Sequence, residues 1–209
     1  MNYQPEYKYI PPFEYHFLTR IYDYILILAG FGRKFREKIV NAVEVKNGQK
    51  ALDVGCGTGV FLHLLKQKYP GVFAVGIDPD QEALDISAKK FGPDVKLIKS
   101  FAEALPFENE SFDIVFSTLA FHHMPTEIKE QAIQEIYRVL KPGGKLVIID
   151  FGTAKHHWFY RIVTFWESFE YMRGNLQGLL PQFMQEAGFK NVKEDSIKFP
   201  VIHLLVGNK

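Results

Sequence analysis

Three glycines, Gly55, Gly57 and Gly59, alternate with Cys56 and Thr58 between the apolar stretch Ala51-Leu52-Asp53-Val54 and the run Val60-Phe61-Leu62-His63-Leu64-Leu65. Glycines at this spacing let the chain turn tightly and let a ligand reach the main chain with no Cβ in the way. The free N–H groups of a helix that starts there favour the anionic part of such a ligand. A second candidate is Asp78, which closes Gly76-Ile77-Asp78. A carboxylate at a strand end can accept hydrogen bonds from both hydroxyls of a ribose, so it suits nucleotide and adenosyl ligands alike. Two histidine pairs follow, His122-His123 and His156-His157. Imidazole is the usual general base where a substrate must lose a proton. Neither His122 nor His123 has partners at metal-ligand spacing, so no metal site is expected. Cys56, the one cysteine, sits among the loop glycines as a small filler and not as a nucleophile.

The elements that must position these residues alternate. Strands are expected at Lys50–Val54, Val72–Ile77, Val95–Lys99, Phe112–Ser117 and Lys145–Asp150. Helices are expected at Gly59–Lys68, Asp80–Phe91 (capped by Asp80), Thr126 to about Leu140 with Thr126 as N-cap, and Leu179–Ala187 ending at Gly188. Val192–Ile197 and Val201–Val206 would close the chain as an antiparallel hairpin. The fold class is therefore α/β: a Rossmann-like, seven-stranded, mostly parallel sheet with a C-terminal antiparallel hairpin, helices on both faces, and an N-terminal helical extension. Residues 1–45 would form an arm and helices that cap the substrate, and 46–209 the main domain. The segment 151–176 breaks the alternation and holds both tryptophans, Trp158 and Trp166, so it reads as an aromatic lid. In such sheets ligands bind beyond the C-terminal ends of the strands.

Bulk properties exclude several classes. The 209 residues suffice for a buried core, and 47% apolar with 23% charged residues is ordinary globular composition. A formal net charge of +1 gives no general pull toward nucleic acid or membrane surfaces. The longest apolar run, Tyr24 to Phe31, is far below the roughly 18–20 residues of a membrane span. With one cysteine and no secretory signal, a cytoplasmic protein without membrane insertion is expected.

The glycine spacing is G-x-G-x-G and departs from the dinucleotide fingerprint G-x-G-x-x-G. Leu52 to Gly59, Leu105-Pro106-Phe107, Ser111-Phe112-Asp113-Ile114-Val115 and Leu140-Lys141-Pro142-Gly143-Gly144-Lys145-Leu146 occur in that order. Together they resemble the class I S-adenosylmethionine-dependent methyltransferases, most of all the branch that includes the ubiquinone/menaquinone-biosynthesis C-methyltransferases. The resemblance covers about Lys50 to Asp150. It implies S-adenosyl-L-methionine as cofactor, S-adenosyl-L-homocysteine as product, and in-line methyl transfer to a small molecule, with alignment and desolvation as the main catalytic devices. It also implies residue roles. Gly55, Cys56, Gly57 and Gly59 would hold the methionine end, and Asp53 would support that loop. Asp78 would bind the ribose, Pro79 would flank the adenine, and Ala102 would offer it a backbone N–H. Ser117 would lie along the sulfonium. Phe101 stands where the family often has an acidic residue, so either Glu103 takes the adenine amino group or Phe101 packs on the ring. His122 and His123 are the candidate catalytic residues.

Nucleic acid is not an expected partner: no thiol is aimed at a base, and Ser117-Thr118-Leu119-Ala120 stands where amino-group nucleic-acid enzymes carry Asn/Asp-Pro-Pro-Tyr. A homodimer is left open. Two other readings remain at this point, a cofactor-binding protein without catalysis and an NAD-dependent oxidoreductase. Calorimetry separates the latter: S-adenosylhomocysteine is expected to bind and NAD to give no heat of binding.

Overall fold

The computed structural model describes residues 35, 37, 39–40, 45–91, 94–153, 170–198 and 202–209. Residues 35, 37, 39 and 40 are helical, with Phe35, Ile39 and Val40 buried. The rest of the expected N-terminal arm, the segment 154–169 and the pair His156-His157 lie outside the described residues. Seven strands form one sheet in the order β3-β2-β1-β4-β5-β7-β6. This is the expected mostly parallel sheet with an antiparallel C-terminal hairpin. The chain divides into two compact units, Met1–Phe101 and Ala102–Lys209.

In the first unit β1 (Lys50–Val54), β2 (Phe73–Asp78) and β3 (Lys96–Lys99) run parallel, with Leu52 opposite Val75 and Val75 opposite Lys96. Buried Leu52, Val54 and Ile77 fill one face of these strands and buried Ala51 and Ala74 lie on the other, as a covered parallel sheet requires. Helix α1 (Val60–Lys68) buries Phe61, Leu62, Leu64 and Leu65 and carries Lys66 and Lys68 in its last turn, where the helix dipole favours cations. Helix α2 (Gln81–Phe91) is capped as expected: Asp80 Oδ1 accepts the Glu82 N–H at 2.9 Å and the Ala83 N–H at 3.4 Å. The turn before β1 is closed from a distance, with Gly71 N–H donating to Asn47 Oδ1 at 3.0 Å.

In the second unit β4 (Phe112–Thr118) runs parallel to β5 (Leu140–Phe151), which pairs antiparallel with β7 (Ile202–Asn208), and β7 with β6 (Lys190–Lys198). Two local expectations are corrected. Strand β5 begins at Leu140, so Lys141-Pro142-Gly143-Gly144 belongs to the strand. The C-terminal residue holds it there: Gly143 N–H donates to the Lys209 carbonyl at 3.0 Å, and Lys209 N–H donates to the Gly144 carbonyl at 2.9 Å. Thr126 is the first residue of α3 (Thr126–Val139), not its cap; Pro125 occupies the cap position and supplies no side-chain acceptor. Helix α4 (Glu170–Leu176) precedes α5 (Leu179–Glu186), which stops before Gly188 at φ 104°.

Arg138 on α3 ties down the segment Leu105-Pro106-Phe107. Its guanidinium donates to Glu135 through Nε and Nη2 (both 2.7 Å), to the Phe107 carbonyl at 2.8 Å and to the Leu105 carbonyl at 3.0 Å. Glu135 in turn accepts the Leu105 N–H at 3.0 Å. One bidentate ion pair thus fixes the loop that follows Ala102 and Glu103.

Gly76 on β2 has a packing reason. A Cβ there would stand 2.6 Å from Leu62 Cδ1 and 2.8 Å from Cys56 Sγ, both in the buried layer beneath the glycine loop. Gly76→Ala is expected to lower unfolding free energy by about 1–3 kcal/mol. Urea denaturation with an unchanged m value is the check.

Candidate active site

The first unit builds the glycine loop on β2. The carbonyl of Ile77 accepts the N–H groups of both Gly55 and Cys56 at 2.9 Å. Asp78 then takes the Gly57 N–H on Oδ2 at 2.8 Å and the Asp80 N–H on Oδ1 at 2.9 Å. Gly55, Gly57 and Gly59 all have positive φ (74°, 52° and 74°), a backbone that side-chain-bearing residues rarely adopt. Gly59 is the N-cap of α1 and its carbonyl accepts the His63 N–H, so the loop runs straight into the helix. Asp53 is buried at the end of β1, and Pro79 is half-buried beside Asp78.

Burial sets the electrostatics here. Loss of solvent pushes the Asp78 carboxyl up to about 6, against the two N–H donors that favour its charge. The Cys56 thiol is raised well above its usual value by burial and by Asp78 and Asp53, so it stays protonated and inert, as its place in the loop implied.

The second unit holds the histidines. Leu119, just past β4, takes φ 55° and donates its N–H to the Ile149 carbonyl at 2.8 Å, which ties the turn to β5. His122 and His123 lie on the 3-10 turn Phe121–His123, their ring centroids 4.0 Å apart. His122 Nδ1 meets Asp150 Oδ1 at 2.8 Å. Asp150 is fully buried in β5 and also accepts the Phe151 N–H at 2.7 Å. Burial opposes its charge, but the His122 ring, the Phe151 N–H and Lys129 outweigh that cost, and its pKa lies below the ordinary carboxylate value. Asp150 therefore stays ionised and can accept an Nδ1–H from His122. His123 differs: burial, the neighbouring His122 ring and Lys129 push it down to about 3, so its ring is neutral. Its Nε2 is buried with no partner among the described residues.

Two contributors have no signal in the local sequence. Asp150 is one more acidic residue at a strand end until β5 is placed beside the turn after β4. Lys129 reads as a surface residue of α3, yet it is fully buried and donates from Nζ to the Tyr171 carbonyl of α4. Burial lowers its pKa to about 8, with Asp150 and Glu127 acting the other way. Of the other expected residues, Ala102 is buried, Glu103 half-buried and Ser117 fully buried within β4.

The sheet, the glycine loop and the strand-end carboxylate define an α/β protein of Rossmann-like type. A methyltransferase-domain family model matches residues 51–144. The chain is 32% identical over 187 residues to the ubiquinone/menaquinone biosynthesis C-methyltransferase UbiE of Geobacter sulfurreducens, covering 86% of this chain and 70% of that one. It is 30% identical to the demethylmenaquinone methyltransferase of Thermus thermophilus, covering 90% of this chain and 96% of the relative. Among solved structures it resembles a SAM-dependent methyltransferase of Thermotoga maritima described as a possible histamine N-methyltransferase (TM-score 0.68, 23% identity, 93% and 99% of the two chains). It also resembles phosphoethanolamine N-methyltransferase 2 of Haemonchus contortus in complex with S-adenosyl-L-methionine (TM-score 0.67, 25% identity, 79% of this chain and 39% of that one). The chain belongs to the class I S-adenosylmethionine-dependent methyltransferases, in the branch of the ubiquinone/menaquinone-biosynthesis C-methyltransferases. Membership sets aside the oxidoreductase reading.

The residues present fit that cofactor. Each Asp78 oxygen accepts one backbone N–H and retains a second lone pair for a ribose hydroxyl. A Cβ on Gly57 would meet nothing within 4 Å, so the main chain there faces open space.

A neutral Asp78 would lose part of this accepting capacity. S-adenosylhomocysteine affinity is therefore expected to rise with pH through about 6 and to level off above it. Calorimetry in buffers of different ionisation enthalpy should show proton release on binding near that pH. Asp78→Asn should weaken binding about 10- to 100-fold, the loss expected for charge-assisted hydrogen bonds.

Proposed function

We propose that this methyltransferase moves a methyl group to a carbon of a small hydroxylated aromatic ring, with His122 as general base. The observation that carries the reading is the 2.8 Å pair of His122 Nδ1 with the buried, ionised Asp150. A methyl acceptor that is already nucleophilic needs only alignment. A ring hydroxyl must give up its proton before the ring carbon becomes a strong nucleophile, and a carboxylate-oriented imidazole serves that need. The similarity to the Geobacter ubiquinone/menaquinone biosynthesis C-methyltransferase and to the Thermus demethylmenaquinone methyltransferase supports this acceptor class.

In this reading Gly55, Gly57 and Gly59 hold the methionine end of the cofactor, and Asp53 supports the loop. Asp78 takes the ribose, Pro79, Ala102 and Glu103 border the adenine, and Ser117 lies toward the sulfonium. When bound, the cofactor supplies a sulfonium methyl group whose carbon–sulfur bond breaks, its electron pair going to sulfur, as the new carbon–carbon bond forms. His122 Nε2 takes the hydroxyl proton and the O–H electron pair stays with the ring. After transfer the substituted ring carbon loses its hydrogen as a proton, one ring oxygen is reprotonated, and one proton is released overall. Asp150 steadies the imidazolium formed on the way. His123, held neutral, is not the base. We place the reaction in the cytoplasm; no helix among the described residues is long and apolar enough to cross a membrane, and the reading does not require a homodimer.

Asp150→Asn is the sharpest variant, because an amide oxygen still accepts Nδ1–H but no longer offsets charge on the ring. It is expected to lower kcat with reduced 1,4-naphthoquinone at least about 100-fold while leaving S-adenosylhomocysteine affinity within twofold. His122→Gln should do the same. Full activity in either variant would leave alignment alone as the mechanism.

A further inference from the structure

Helix α4 carries a side chain that the fold does not use. Asn175 is 1% exposed, and neither its Oδ1 nor its Nδ2 has a partner among the described residues. A buried amide in that state costs on the order of 1–3 kcal/mol per unsatisfied group, and leucine at the same place would avoid the cost. Such departures from full pairing concentrate at functional sites.

Its surroundings point to the acceptor. Helix α4 packs on the 3-10 turn that bears His122 and His123. It is anchored from its buried side, where Lys129 Nζ donates to the Tyr171 carbonyl, four residues before Asn175. The preceding residue, Gly174, lets the helix close on α3: a Cβ there would lie 3.1 Å from Thr126 Oγ1 and 3.6 Å from Lys129 Nζ. Gly178 N–H caps the helix end on the Asn175 carbonyl at 3.0 Å. The backbone around Asn175 is thus fixed while its amide is left unsatisfied. On the turn that α4 covers, His123 Nε2 is likewise buried and unpartnered. Two buried polar groups without partners among the described residues thus lie on two elements that pack together, one of which bears His122.

We propose that Asn175 binds an oxygen of the methyl acceptor, and that a hydroxylated ring is the ligand class it selects. An amide both donates and accepts: Nδ2 can donate to a ring oxygen, and Oδ1 can accept from a hydroxyl. A carboxylate ligand would use only the donor and an ammonium only the acceptor, each leaving half of the buried amide unpaired. This assignment rests on the acceptor class argued above and adds the residue that recognises it. Asn175 touches substrate without taking its proton, so it governs binding and orientation.

The test uses the full chain with S-adenosylmethionine and dithionite-reduced 1,4-naphthoquinone as acceptor probe. Asn175→Leu removes the unpaired amide, so its melting temperature should equal or exceed that of the wild type. Its S-adenosylhomocysteine affinity should stay within twofold. Its KM for the reduced naphthoquinone should rise at least about tenfold, with a smaller change in kcat. Asn175→Asp, which keeps the shape but loses the donor, should show the same rise in KM. An unchanged KM in Asn175→Leu overturns the assignment, as does a fall in melting temperature together with weaker S-adenosylhomocysteine binding, which would mark a structural residue. If the wild type makes no methylated naphthoquinol, the acceptor class itself fails and the hydroxyl assigned to Asn175 falls with it. If it does and the variants match it, only the Asn175 assignment fails.

Discussion

The constraint on which the cofactor half depends is the carboxylate of Asp78 at the C-terminal end of β2. It is buried, and burial alone would drive it neutral. The Gly57 and Asp80 N–H groups repay part of that cost by donating one bond to each oxygen. The same two bonds shape the loop and start the chain toward α2. Asp78 therefore organises the glycine turn and, in the reading proposed above, keeps lone pairs for the ligand. Its raised pKa of about 6 is the sign that the protein alone does not fully satisfy it. Gly76 and Cys56 complete the arrangement, since the loop can press on β2 only because one residue has no Cβ and the other has a small, uncharged thiol.

The second unit repeats the device with Asp150. Here too a fully buried carboxylate sits at a strand end, but it is compensated by His122, the Phe151 N–H and the field of Lys129, and it stays ionised. The difference decides what each can do. Asp78 receives backbone donors and is suited to hold. Asp150 receives an imidazole and is suited to set which ring nitrogen carries the proton. Lys129, buried among these groups, acts on them through its charge and through its bond to α4, so the helix that flanks the histidine turn is held by the same cluster.

The glycine spacing, the apolar strand runs, the Asp80 cap and the Gly188 stop were legible in the sequence because each depends on neighbours within a few residues. So were Asp78 and the adjacent histidines, whose types and places at strand ends already imply chemistry. The start of β5 at Leu140 was not legible, since it rests on pairing with the distant residues Phe112, opposite Leu140, and Lys209, bonded to Gly143 and Gly144. Nor were Asp150 as the partner of His122, the burial of Lys129 or the unsatisfied amide of Asn175. Periodicity gives the helix on which Lys129 lies, but not that α4 covers it. The sequence by itself determined the order of elements, because loop and strand motifs are local, and through the family those motifs resemble it gave the methyl donor. Only the tertiary structure decided which groups lose water and which carboxylate meets which histidine, because desolvation and pairing are properties of elements packed together from distant parts of the chain.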